Sequence, residues 1–385
     1  MEKLYQIALP RKVVAGRGAT AQIKDIVDRL KVENILLLVD GGVYKSGIVA
    51  PIEEMLRDYQ VLVVDDTPLE PEYKQVLEIY EKIEDTRIEL VLAVGGGSVM
   101  DTAKILAVMA KNPEYRDNLL DASLIAVRGL PTIFVPTTAG TGSEGTPNAI
   151  VVVPEKELKV GIVHEYFIPD VVILDPEMTR SLPPAVTAAT GLDAFCHAIE
   201  CFISKKANAF SDLYALKAIN LIMKYLRRAY ENGEDMEARE NMLLAAFYGG
   251  LSIASSSTVA VHALSYPLGG KYRIPHGISN AILLPYVMEY NADQVLDKFR
   301  EVAVAMELDI AGKDDEGIGK MVVQEIFQLT RDLNIPDNLK QYGIDEGDLE
   351  ILTNSAAEVT RLLNNNPKKM TKEDIKGIYL KLLRS

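Results

Sequence analysis

Short, nearly unbroken apolar runs alternate with amphipathic stretches along the first half of the chain. "NILLLVD" (34–40), "QVLVVDD" (60–66), "LVLAV" (90–94), "PTIFVPTT" (131–138) and "DVVILD" (170–175) read as buried strands. The segments "IVAPIEEMLRDY", "PEYKQVLEIYEKIEDT" and "SVMDTAKILAVMAKN" read as the helices between them. Apolar strands interleaved with helices predict a parallel sheet covered on both faces. After "RSLPP" (180–184) the apolar spacing becomes three and four, as in "LDAFCHAIECFIS", "SDLYALKAINLIMKYLRRAY" and "EGIGKMVVQEIFQLTRDLN". That is helical periodicity, and no strand pattern follows residue 180. The expectation is an α/β domain over 1–180 and an all-α domain over 181–385, joined at Pro183-Pro184, a stiff pair suited to a junction.

At 385 residues the chain exceeds one core and suits two. No uninterrupted apolar run approaches the roughly 20 residues of a membrane helix. The opening "MEKLYQIALPRKVVAGRG" lacks a signal-peptide pattern. Two cysteines, Cys196 and Cys201, are too few for a disulfide framework, which points to the cytoplasm. A formal net charge of −14 argues against nucleic acid, whose phosphates call for a basic surface. Small molecules are the expected partners.

"LVLAVGGGSVMDTAK" places Gly95, Gly96 and Gly97 between a strand and a helix starting near Ser98. Glycines there suit a tight turn. They also let a ligand approach the free N–H groups of the new helix, which makes a phosphate cradle. The stretch is neither G-x-G-x-x-G nor a P-loop. Asp40, at the carboxyl end of its strand, suits either a turn before Gly41 or a contact to an adenosine ribose. "VPTTAGTGSEGTPNAI" (135–150) offers the hydroxyls of Thr137, Thr138, Thr141 and Ser143, with Gly140 and Gly142 for close approach. A polar turn explains this composition as well. All three loops fall at one edge of the expected sheet, where cofactors bind.

Asp193 and His197 in "GLDAFCHAIE" stand four apart, on one face of a helix. Alone, the pair fits a capping Asp and a half-buried His as well as a metal site. His262 and His276, in "VHALSYPLGGKYRIPHGISNAILLP", also fall at segment edges in the helical half. One carboxylate and three imidazoles suit Zn²⁺ or Fe²⁺. The fourth histidine, His164 in "GIVHEYFIP", has no comparable setting.

"GGGSVMD", "PTTAGTGSE", "DPEMTRSLPPAVTAATGLDAFCHAIE" and "HALSYPLGGKYRIPHGISNAILLP" together resemble the signatures of the iron-containing (group III) alcohol dehydrogenases, within the dehydroquinate synthase-like superfamily. The similarity runs in order from the first strand to at least residue 290. It implies a Rossmann-like dinucleotide-binding domain, an all-helical domain and a metal in the cleft between them. It further implies that Asp193, His197, His262 and His276 bind the metal, Fe²⁺ with Zn²⁺ as the alternative. The implied cofactor contacts are Asp40, Gly96, Gly97, Ser98, Asp101, Thr137, Thr138 and Lys159. Asp40 then favours NAD over NADP, since a 2′-phosphate beside it would meet like charge. A homodimer or larger homo-oligomer is expected on the same ground.

Three departures from the family pattern stand out. Tyr266 ("HALSY") occupies a position where many members carry a second histidine that relays protons. A tyrosine hydroxyl, with an ordinary pKa near 10, needs a nearby cation to act well at neutral pH. "SSSTVAV" (255–261) replaces small apolar residues. Lys271 and Arg273 enter an expected loop, where they are candidates to hold a substrate carboxylate or phosphate, or are simply solvated. The implied reaction is hydride transfer between a nicotinamide and a metal-bound alcohol or carbonyl. The alternatives are a hydroxy-acid substrate of the 4-hydroxybutyrate type, a polyol, or a dehydroquinate synthase-like lyase, for which the dense basic cluster is missing. A metal that merely staples a binding protein would leave three ligand-grade loops unexplained.

Overall fold

The computed structural model describes residues 4–156 and 158–384. Its main sheet has six strands, β1 (Lys12–Ala15), β2 (Asn34–Val39), β3 (Gln60–Val64), β4 (Leu90–Gly95), β5 (Thr132–Pro136) and β8 (Val171–Leu174), in the order β1-β8-β5-β4-β2-β3. Every pairing in it is parallel. The five apolar runs read from sequence are five of these six strands.

Alternation along each strand divides the core in two. Leu36, Leu38, Val91 and Ala93 point to one face, with the helices α4 (Tyr73–Ile83) and α5 (Gly97–Met109). Ile35, Leu37, Val39, Leu92 and Val94 point to the other, with α1 (Ile23–Leu30) and α3 (Ala50–Met55); a short α2 (Gly41–Lys45) follows β2. Both faces are dry, so β2 and β4 have no polar position to spare.

Two features depart from expectation. The edge strand β1 is mostly exposed, with the pattern expected of a loop. The strands β6 (Asn148–Val153) and β7 (Leu158–Val163) form an antiparallel hairpin outside the main sheet. Ala149, Val151 and Val153 face inward there, and the alternate residues stay half-buried.

Beyond Pro184 the described residues form helices: α6 (Pro184–Ile203), α7 (Ala209–Glu231), α8 (Met236–Ser255), α9 (Ala260–Tyr272), α10 (His276–Asn291), α11 (Leu296–Ala305), α12 (Asp315–Asp332), α13 (Leu349–Ala357), α14 (Thr360–Leu363) and α15 (Lys372–Arg384). They enclose one continuous core, with α6, α7 and α8 at its centre. By length and composition α6 could cross a membrane, but 83% of that window is buried among its neighbours. Cys196 and Cys201 lie on it as buried free thiols.

Chain order runs from β2 out to β3, then back across β2 to β4, so the topology reverses between β2 and β4. Ligands of such sheets bind beyond the strand carboxyl ends at that crevice. Asp40 and the glycine turn lie there.

Candidate active site

Asp193 and His197 project one helical turn apart from α6, His262 from α9, and His276 from the first turn of α10. Their donor atoms all lie within 4.8 Å of one another. Around Asp193 Oδ1 stand the Nε2 atoms of His197 at 3.8 Å, His262 at 3.9 Å and His276 at 3.6 Å. The rings of His197 and His262 stack with centroids 4.8 Å apart. Burial pushes His197 down to about 4 and His276 down to about 3, so both imidazoles are neutral with open lone pairs. Burial opposes the charge on Asp193, yet its carboxyl is held below its usual range, with the Asn280 amide donating to it.

A carboxylate and three lone pairs converging in a buried spot repel one another unless a cation or donor stands between them. The Asn280 amide nitrogen partly fills that need, 2.7 Å from Asp193 Oδ1 and 3.2 Å from the Nε2 of both His262 and His276. Its own Oδ1 and the Nδ1 of His197 are buried without partners. His262 turns its Nε2 inward because its Nδ1 is held by Glu200 Oε2. The other oxygen of Glu200 accepts from the Val261 N–H at 2.6 Å. A carboxylate behind a histidine is the arrangement that orients metal ligands. The donor set and its neutral imidazoles fit a divalent ion.

The cluster lies in the wall of a cavity of about 580 Å³ between the sheet edge and the helices. Asp40, Gly96, Gly97, Ser98, Asp101, Thr138 and Lys159 line the same cavity. The helix α5 begins there with no side-chain cap and no acidic residue in its first turn, leaving its N–H groups for an anion. A Cβ at Gly97 would stand 2.7 Å from the Thr141 side chain, so this turn requires glycine. These features fit a dinucleotide.

Other residues have different surroundings from those expected. Asp40 caps α2, its Oδ1 accepting from Gly42 N–H (2.9 Å) and Val43 N–H (3.0 Å); Oδ2 takes no part in the cap. Asp101 is committed inside the protein, accepting from Ser143 Oγ (2.6 Å), Lys104 Nζ (3.3 Å) and Ile150 N–H (3.0 Å). Thr137 is buried with its N–H on the Gly95 carbonyl, away from the cavity wall. Gly140 and Gly142 admit protein instead of ligand: a Cβ at Gly142 would be 2.3 Å from the Ala246 carbonyl oxygen. Lys159 pairs with Glu70 at 2.7 Å. Glu70, in a left-handed conformation (φ 50°), also accepts from the His276 N–H at 3.3 Å. It bridges the two halves beside the cluster.

Lys271 and Arg273 are not on the cavity wall. The helix α9 runs on through Tyr272, so Lys271 is helical, with its ammonium over the Tyr272 ring. Arg273 closes that helix in a left-handed, exposed turn. The arginine that does line the cavity is Arg361, together with Lys206. Tyr266 is buried, its ring 6.5 Å from that of His276. Burial raises its pKa and Arg361 opposes that rise only in part, so its hydroxyl stays protonated. His164 caps a turn through its Nδ1, away from the cavity.

Sequence reasoning missed Glu200, Asn280, Lys104 and Arg361. Glu200 follows His197 by three and Asn280 follows His276 by four, spacings that put each on the face of its ligand. Arg361 is remote from every motif, and no local signal marks it.

A nucleotide-ready sheet edge facing a four-donor cluster across one cavity suits a metal-dependent oxidoreductase. Residues 10–176 match the model of the iron-containing alcohol dehydrogenases, and residues 187–383 match that of the Fe-containing alcohol dehydrogenase family, C-terminal. Long-chain-alcohol dehydrogenase 1 of Geobacillus thermodenitrificans is 38% identical over 380 residues, covering 97% of this chain and 95% of its own. The structure of a 1,3-propanediol oxidoreductase superposes with a TM-score of 0.94 at 30% identity, covering 99% and 100% of the two chains. A sulfoacetaldehyde reductase from Bifidobacterium kashiwanohense, solved with NAD⁺, gives 0.87 at 30% identity, covering 99% of each. The chain belongs to the iron-containing alcohol dehydrogenase family.

Proposed function

We propose that the protein interconverts a small alcohol and its aldehyde or ketone with NAD(H), using Asp193, His197, His262 and His276 to hold Fe²⁺, or Zn²⁺ where that ion is more available. The observation that carries this reading is the convergence of those four donors in the wall of the cavity into which α5 opens. When bound, the ion supplies Lewis-acid polarisation of the substrate oxygen. Asp193 offsets part of the ion's charge, and Glu200 holds the His262 ring toward it. Gly96, Gly97 and the free N–H groups of α5 seat the cofactor pyrophosphate. Asp40 Oδ2 meets the adenosine ribose and disfavours a 2′-phosphate, giving NAD its preference. Lys159, once released from Glu70, contacts a cofactor ribose. Tyr266 holds its proton at Oη and donates a hydrogen bond into the cavity. The relatives act, by their names, on alcohols and aldehydes, which supports this substrate class. A reducing, cytoplasmic setting and a homo-oligomer accompany the reading.

The test uses metal-depleted protein reloaded with Fe²⁺ or Zn²⁺ and assayed on alcohols and aldehydes with NADH and NADPH. The expected result is a stoichiometric change in NADH absorbance that needs the metal and favours NADH. A lyase recycles its cofactor and shows no net change. Asp193→Ala and His276→Ala should each lose metal and turnover together; a metal-free variant with full turnover refutes the assignment.

A further inference from the structure

We infer that the substrate carries an anionic group away from its reacting carbon, and that Arg361, with Lys206 beside it on the wall, selects for that group. The inference rests on the activity proposed above and names its substrate class. Arg361 reaches from α14 across to the β6–β7 hairpin, where its Nη2 lies 3.2 Å from the place a Cβ would take at Gly161. The absence of a side chain at Gly161 leaves room for the guanidinium. Its charge acts on Tyr266, whose ring neighbours His276. Arg361 thus shares the cavity wall with Tyr266 and the donor cluster.

What sets Arg361, an exposed side chain, apart is its place on the cavity wall, since Arg29 and Arg273 are likewise exposed and without an ion pair among the described residues but lie elsewhere. Among the described residues Arg361 and Lys206 form no ion pair, whereas Lys159, the other cation on the wall, is taken by Glu70. Ser256, Ser257 and Thr258, from the stretch that departs from the family pattern, line the same cavity. Ser256 Oγ donates to the Cys201 carbonyl at 3.1 Å and Ser257 Oγ to the Thr258 carbonyl at 2.9 Å, so of the three hydroxyls that of Thr258 is the one with no partner among the described residues. A free hydroxyl and an unpaired guanidinium on one cavity wall suit an oxyanion. The carboxylate of Asp193, in the donor cluster, repels one. An anionic aldehyde thus enters in one direction, carbonyl toward the four donors and charge toward Arg361. In the reaction NADH gives a hydride to the carbonyl carbon and a proton adds to its oxygen, leaving NAD⁺, the alcohol and an unchanged anion.

The experiment compares aldehydes of matched length ending in methyl, carboxylate, sulfonate or phosphate, with metal-loaded wild type, Arg361→Leu and Arg361→Lys. Wild type should favour an anionic member by about tenfold or more in kcat/KM. Arg361→Leu should collapse that ratio, mainly through KM, and Arg361→Lys should restore part of it. Added salt should shrink the ratio in wild type. The three anionic termini distinguish which oxyanion is preferred. A ratio near one in wild type, or an unchanged ratio in Arg361→Leu, overturns the inference while leaving the alcohol dehydrogenase reading standing. If no aldehyde of any kind consumes NADH, both fall.

Discussion

His262 and Glu200 form a buried pair, Nδ1 to Oε2, that ties α9 to α6 directly behind the donor cluster. Glu200 has no exposed surface, and its second oxygen fixes the first turn of α9 through Val261 N–H. One carboxylate thus sets both the rotation of the His262 ring and the position of the helix that carries it.

Glu200→Gln tests that role. The amide can still accept from Val261, but presents a donor to an Nδ1 that itself needs an acceptor. The ring then turns or changes tautomer. Metal affinity should fall by about 10- to 100-fold, read by competition with a chromogenic chelator. The metal-free protein should unfold at nearly the wild-type temperature. Unchanged affinity would remove Glu200 from the site.

Glu144 gives a pH prediction of definite sign. It is buried beside the Lys104 network, and its Oε1 lacks a partner. Burial raises its carboxyl from 4.5 to about 7. The folded state therefore binds a proton through a range where the unfolded state has lost it. Stability on this account is fullest at acid pH and declines as pH rises from about 4.5 through about 7. The loss is on the order of 3 kcal/mol. Glu144→Gln should flatten that decline and leave the variant more stable than wild type on its alkaline side, by urea denaturation at several pH values. Parallel curves for the two proteins would show that Glu144 titrates in the folded state as it does in the unfolded one.

What could be read from the sequence follows a physical division. Strands buried on both faces, such as "NILLLVD" and "LVLAV", must be apolar throughout, and they stand out. Asp193, His197, His262 and His276 are polar residues set in apolar helical stretches, so they also attract notice, and the fold brings them together. The strand β1 escapes because an exposed edge imposes no pattern on Lys12–Ala15. Lys271 and Arg273 mislead because the glycines before them read as a helix end, whereas α9 continues to Tyr272 and carries the pair away from the cavity. Arg361 lies 76 residues past Pro285, the end of the nearest motif; only tertiary packing brings it to the wall. Loop glycines deceive in another way: composition marks close approach but not what approaches.

Gly250 shows that last point and yields a test. A Cβ there would lie 2.1 Å from the Gly142 carbonyl oxygen, so α8 meets the loop after β5 backbone to backbone. That loop carries Thr138, Thr141 and Ser143 to the cavity, with Thr141 packed on the Gly97 turn. Gly250→Ala must push the loop off the helix, at a cost of roughly 1–3 kcal/mol from overpacking. The displacement reaches the cofactor turn through Thr141, so KM for NADH should rise as well. Gly377→Ala, in α15 with nothing within 4 Å of the added methyl, is the control. It should stabilise by about 0.5–1 kcal/mol through helix propensity alone. Calorimetry and NADH titration of both variants decide the matter: if Gly250→Ala melts and binds NADH as wild type does, the loop is not clamped by α8, and its hydroxyls owe their positions to something else.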